Sequence, residues 1–143
     1  MSYRYLDDIA TADIGFEARA STLEQLVVES GDALMNVMVD ELTSITEKED
    51  RRVVIEDERE DMLLFGALQE QIFLKDAYQL LFRLRNVHII KTGNKLRLEA
   101  EAYGEEMDLD RHAMNVDVKA VTLHRFAVEH TDNAWTATVV LDV

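Results

Sequence analysis

The sequence predicts an α+β domain, a mostly antiparallel sheet with two helices packed on one face. Three observations predict it. Several short segments alternate apolar and polar residues with period two, as strands with one buried face do. Two longer segments carry apolar residues at helical spacing. Their order runs strand, helix, strand, helix, then a run of strands, which is an α+β order.

The first strand is Ile14-Gly15-Phe16-Glu17-Ala18-Arg19-Ala20, alternating after its glycine. Ser21-Thr22-Leu23-Glu24 then fits a capping box, a hydroxyl followed three residues later by a carboxylate. Leu23, Leu26, Val27, Leu34, Val37 and Met38 form one apolar stripe on a helix over about Thr22 to Asp40. Gly31 interrupts that helix at a cost of ~1 kcal/mol relative to alanine, which suggests close packing against a neighbour. Glu47 to Asp50 reads as a solvated loop, and Arg51 to Glu56 as a short β-branched strand.

A second helix is predicted over Asp61 to Leu74, with Leu64, Leu68, Ile72 and Phe73 inward and Lys75-Asp76-Ala77 ending it. Tyr78 to Leu84 reads as strand. Val87 to Ile90 and Lys95 to Ala100 form a hairpin around Lys91-Thr92-Gly93-Asn94, where Gly93 and Asn94 supply the positive-φ positions. Asp117 to Glu129 and Trp135 to Asp142 are two more strands, joined by the turn His130-Thr131-Asp132-Asn133. No linker, repeat or low-complexity segment divides the chain, so residues 1–143 are read as one domain.

Composition narrows the function classes. With 48% apolar and 31% charged residues the chain is globular rather than disordered. It has no cysteine, so disulfides and thiolate metal sites are impossible and a reducing compartment fits. The start, Met1 to Asp8, lacks the basic and apolar regions of a signal peptide, and no apolar run approaches the ~20 residues that span a bilayer. A cytoplasmic protein without membrane contact is expected. The 29 acidic against 15 basic residues give a net charge of -14. That field repels a phosphate backbone, so strong direct nucleic-acid binding is not expected, while basic partners and divalent cations are favoured.

Candidate chemistry is sparse. His88, His112, His124 and His130 show no metal-ligand spacing, and His112 reads best as a loop histidine bonded to backbone. Ser2, Ser21, Ser30 and Ser44 lack a nucleophile context, and the five glycines are scattered without a phosphate loop. Asp7, Asp8 and Asp13 cluster near the start, and Asp142 precedes the terminal carboxylate of Val143. Hard cations take several oxygen ligands. If the first strand neighbours the last, Asp13 completes a ligand set with Asp142 and Val143, although such acids are more often ordinary surface residues. Arg83, Arg85, Lys91, Lys95 and Arg97 concentrate in the hairpin region, where they either meet RNA or an acidic partner or simply cover a sheet.

Three segments resemble the archease family. Tyr5 to Gly15, ending Thr11-Ala12-Asp13-Ile14-Gly15, is similar to its acidic "D-H-T-A-D-I-G" signature. Gly104-Glu105, Asp108, Arg111-His112 and Asp117-Val118-Lys119-Ala120-Val121-Thr122-Leu123-His124 resemble "G-E…D…R-H…E-V-K-A-x-T-Y-H". Trp135 with Val140-Leu141-Asp142-Val143 is similar to the closing "W…V…D-V". The order and spacing match along nearly the whole chain. Ala10 stands where the family has histidine, Leu123 where it has tyrosine, and Asp117 where it has glutamate.

The resemblance implies a strand-helix-strand-strand module with a related unit inserted. It implies an accessory protein, not an enzyme, which activates the GTP-dependent RtcB-type RNA ligase of tRNA splicing and RNA repair by promoting its guanylylation and multiple turnover. It further implies a divalent cation, often calcium, held by Asp13, Asp142 and the carboxylate of Val143, with Lys119 acting at the same tip together with Asp13 and Asp142 in activating the partner. Two other readings compete: a chaperone or specificity modulator of a tRNA cytosine methyltransferase, and a metal-dependent hydrolase.

Overall fold

The computed structural model describes residues 1–9 and 13–143; Ala10, where the family signature has histidine, lies outside the described residues. Eight strands and two helices follow in the order β1 (Ser2–Leu6), β2 (Asp13–Ala20), α1 (Leu23–Met38), β3 (Glu49–Asp57), α2 (Glu60–Tyr78), β4 (Leu80–Thr92), β5 (Lys95–Glu106), β6 (Ala120–Val121), β7 (Ala127–Thr131) and β8 (Ala134–Asp142). This is the α+β class expected, and every strand pairing is antiparallel. The pairing divides into two sheets. One is ordered β1-β2-β8-β6, with β7 also on β8; the other is β3-β5-β4.

The apolar stripe on α1 is buried as expected. Thr22, rather than Ser21, caps the helix: its Oγ1 accepts the Gln25 N–H at 3.1 Å. Such a cap is worth about 1 kcal/mol. Helix α1 packs on β2 of one sheet and β4 of the other, so nearly all of its circumference is covered. Gly31 serves this close approach. A Cβ there would stand 3.0 Å from Gln71 Oε1 and 3.3 Å from Leu84 Cδ1. The core shared by the layers includes Phe16, Leu26, Leu34, Met35, Leu64, Leu68, Phe82 and Leu98.

Several elements differ from expectation. Helix α2 does not stop at Lys75 but runs to Tyr78, where Gln79 in the left-handed region (φ 58°) closes it. Lys75 faces inward and finds partners on a distant segment, so its charge breaks nothing. Phe73 is 53% exposed. Leu64, Leu68 and Ile72 share one helical face, and Phe73 lies about 100° further round, edge-on to Tyr78 with ring centroids 6.1 Å apart. The hairpin turn between Thr92 and Lys95 uses positive φ only at Gly93 (64°), not at Asn94.

The expected strand Asp117 to Glu129 is broken into β6 and β7 by residues 122–126, where Arg125 adopts φ 57°. The following turn is the two residues Asp132 and Asn133, both at positive φ, the combination that suits the twist of a hairpin. His130 therefore belongs to β7 and stacks on Trp135 at 4.1 Å. Glu49 and Asp50, expected in a loop, open β3, and β1 was not expected at all. No helix among the described residues is long and apolar enough to cross a membrane.

Candidate functional site

Strand β8 lies at the middle of the larger sheet, between β2 on one side and β6 and β7 on the other. Its last residue, Asp142, is register partner to Asp13, the first residue of β2, and to Ala120 of β6. The Lys119 N–H donates to the Asp142 carbonyl at 2.8 Å. One end of this sheet therefore gathers Asp13, Lys119, Asp142 and the adjoining Val143 from three separated parts of the chain. Directly paired residues in an antiparallel ladder project to the same face, which puts the Asp13 and Asp142 carboxylates on one side. Asp142 and Lys119 are exposed, while Asp13 and Val143 are half-buried.

The donor chemistry at this sheet end fits a hard divalent cation. It offers carboxylate oxygens, and among the described residues neither Asp13 nor Asp142 is tied up in an ion pair with a base. Asp7 and Asp8 follow β1, and Asp8 pairs with Arg125 at 3.4 Å. Beside Asp13 opens a groove of about 410 Å³ lined by Tyr5, Leu6, Val37, Asn115 and Val116.

The middle motif splits in two. Its Lys119 end lies at the carboxylate cluster, but its Glu105 and Arg111-His112 end forms a buried knot. Glu105 and His112 are 1% and 3% exposed. One Glu105 oxygen accepts the Thr46 N–H at 2.5 Å and meets His112 Nε2 at 3.0 Å. The other takes the Arg111 guanidinium, and Lys48 Nζ stands 3.5 Å away. Burial pushes the Glu105 carboxyl up, but Thr46, His112 and Arg111 outweigh it and bring the pKa down to about 2.

The Asp108 N–H donates to His112 Nδ1 at 2.9 Å, so that nitrogen is unprotonated and Nε2 carries the hydrogen given to Glu105. The expected backbone bond of His112 is present, with a buried carboxylate as its second partner. Gly104, just before Glu105, allows close strand contact: a Cβ there would lie 1.9 Å from the Leu81 carbonyl oxygen.

The other candidates do not gather into a site. His88, His124 and His130 are exposed, and among the described residues none belongs to a cluster of three potential metal ligands. The basic stretch is largely neutralised within the protein. Arg83 bonds Asp32 at 2.9 and 3.1 Å, Arg85 bonds Glu47 and Glu101, and Arg97 bonds Glu99 at 3.1 Å. Glu47, Asp50 and Glu101 bring carboxylate oxygens within 4.8 Å of one another. Arg85 already supplies positive charge to two of the three and lowers their pKa values, so this cluster is an arginine site.

Sequence reasoning missed the contacts of Lys75, which is 4% exposed. Its Nζ reaches Asp117 Oδ1 at 2.6 Å, the Val118 carbonyl at 2.8 Å and Asp76 Oδ1 at 2.5 Å. Asp117 and Val118 lie about forty residues away in sequence, and no local pattern announces them.

Comparison with known proteins agrees with the motif order. The model of the Archease protein family (MTH1598/TM1083) matches residues 3–143. The chain is 36% identical over 134 residues to Protein archease of Pyrococcus abyssi, covering 93% of this chain and 94% of that one. It is 38% identical over the same length to Protein archease of Thermococcus gammatolerans, with the same coverage. The solution structure of Methanobacterium thermoautotrophicum protein 1598 superposes with a TM-score of 0.86 at 32% identity, covering 99% of both chains. The crystal structure of a Thermotoga maritima archease, described as a possible chaperone, shares the fold at a TM-score of 0.59 and 20% identity, covering 94% and 93%.

Proposed function

The chain belongs to the archease family, and on that premise we propose that it is a non-enzymatic accessory protein that activates an RtcB-type, GTP-dependent RNA ligase. The observation that carries the reading is the meeting of Asp13, Lys119 and Asp142 at one sheet end, with two carboxylates in direct register. Asp13, Asp142 and the carboxylate of Val143 would hold a divalent cation such as calcium, which would supply positive charge for phosphate oxygens of the partner's nucleotide. Lys119, on the same end, adds a mobile ammonium suited to phosphate or to the carboxylates themselves. The chain contributes charge and geometry to another protein's active site.

The net charge of -14 is consistent with this division of labour. An acidic body approaches a basic, nucleotide-loaded cleft favourably and has little affinity for RNA itself.

The test is transfer of labelled GMP from GTP to the ligase with and without this protein. Wild-type protein should raise the rate and extent of labelling, and Asp13→Ala and Asp142→Ala should not, while keeping native circular dichroism. Stimulation by both variants equal to wild type would refute the reading. If the ligase is indifferent to the wild-type protein but a tRNA cytosine methyltransferase stays soluble only in its presence, the client is the methyltransferase.

A further inference from the structure

We propose that Lys75, a helix residue outside all three motif segments, is a positioning residue for the carboxylate-bearing sheet end, fixing Lys119 in place by anchoring the two residues before it. The inference rests on the function proposed for that end only for its consequence; the anchoring itself is independent of it.

An ammonium has three N–H donors and no acceptor, and Lys75 spends all three on oxygens: Asp117 Oδ1 at 2.6 Å, the Val118 carbonyl at 2.8 Å and Asp76 Oδ1 at 2.5 Å. Two of the three belong to the segment that leads directly into Lys119. Asp117 is itself mostly exposed, at 67% of its side chain. The bond therefore serves to hold a surface segment to the helix rather than to rescue a buried acid. A lysine sunk to 4% exposure costs desolvation unless every donor is met, so this geometry holds only while the segment stays where it is.

The same helix makes a second, separate attachment. Gln69 Oε1 accepts the Val121 N–H at 3.0 Å. Between the two attachments lies Lys119, whose own N–H reaches the Asp142 carbonyl. Strand β6 is only two residues long, and the Thr122 N–H and Oγ1 extend its hold on β8 by donating to the Val140 carbonyl, each at 3.0 Å. Helix α2 adds side-chain holds to this short strand, and Lys75 is the nearer of the two to Lys119.

Amide hydrogen exchange on the full chain tests the anchoring without a ligase. In Lys75→Met and in Asp117→Ala, exchange at the Lys119 N–H should quicken at least about tenfold, while Val121, held by Gln69, and amides of α1 change far less. Asp117→Glu, which keeps the acceptor, should retain protection. Asp117→Ala alters an exposed residue and so keeps the test open should Lys75→Met fail to fold. Unchanged exchange at Lys119 in Asp117→Ala, or an equal rise at every amide, would overturn the proposal.

In the guanylylation assay both variants should lower stimulation by about tenfold while calcium affinity stays near wild type, because the β2–β8 pairing of Asp13 and Asp142 is untouched. Full stimulation by Lys119→Ala would refute the role given to Lys119 and leave the exchange result standing.

Discussion

Two carboxylate-bearing regions of this chain draw on the same long motif and are built in opposite ways. At the Glu105 knot the carboxylate is buried and surrounded by donors from Thr46, His112, Arg111 and Lys48. At the sheet end, Asp13 and Asp142 lie in register with no basic partner among the described residues. A carboxylate whose lone pairs are all used inside the protein has nothing left for a ligand, and its contribution is to folding. Carboxylates without a basic partner in the fold keep their oxygens free for a cation from outside. One motif therefore contributes both to a carboxylate satisfied inside the protein and to a sheet end whose carboxylates are not.

The contrast can be broken at either end. The largest effect is expected in calcium titrations followed by calorimetry. Asp142→Ala and Asp13→Ala should each lose at least about a hundredfold in affinity, since each removes a charged ligand from a small set. Their melting temperatures in chelator should match or exceed that of the wild type, because a repulsion has been removed. Retained affinity would show that the cation sits elsewhere.

Glu105→Ala should do the reverse, lowering unfolding free energy by about 3 kcal/mol in urea titrations, because His112 and Arg111 lose their common acceptor. Calcium affinity of the folded variant should be unchanged. A variant as stable as wild type would mean the knot is dispensable.

A smaller effect appears in acid. The Glu105 carboxyl has an ordinary pKa of 4.5 and is lowered to about 2 in the folded protein. Above 4.5 both folded and unfolded chains carry the charge and its stabilisation is complete. As pH falls below 4.5 the unfolded chain takes up the proton first, so stability declines until the folded group also titrates near 2. Comparing melts of wild type and Glu105→Gln across that window should show a steeper acid loss in the wild type. Parallel curves would contradict the assignment.

Local sequence pattern predicted the elements that obey local rules. The α1 stripe from Leu23 to Met38 and the alternation of β2 are complete signals in themselves, and both were legible. Lys75-Asp76-Ala77 reads as a helix stop because two of the three partners that satisfy Lys75 lie some forty residues away. The split between β6 and β7 turns on the positive φ of Arg125, a residue type with no preference for that conformation. The first strand was missed because Ser2 to Leu6 is mostly exposed and packs chiefly on β2.

At the site, the residues alone raise Asp13, Asp142 and Val143 only on the condition that the first strand neighbours the last, with ordinary surface acids the commoner alternative. The motif resemblance selected them. The β2–β8 pairing, which joins residues at opposite ends of the chain, is what brings Asp13 to Asp142.

The most direct test sets the two regions side by side in one assay: ligase guanylylation driven by equal amounts of folded Asp142→Ala and folded Glu105→Gln. No stimulation is expected from the first and wild-type stimulation from the second. Stimulation by Asp142→Ala, with none from Glu105→Gln, would contradict that expectation.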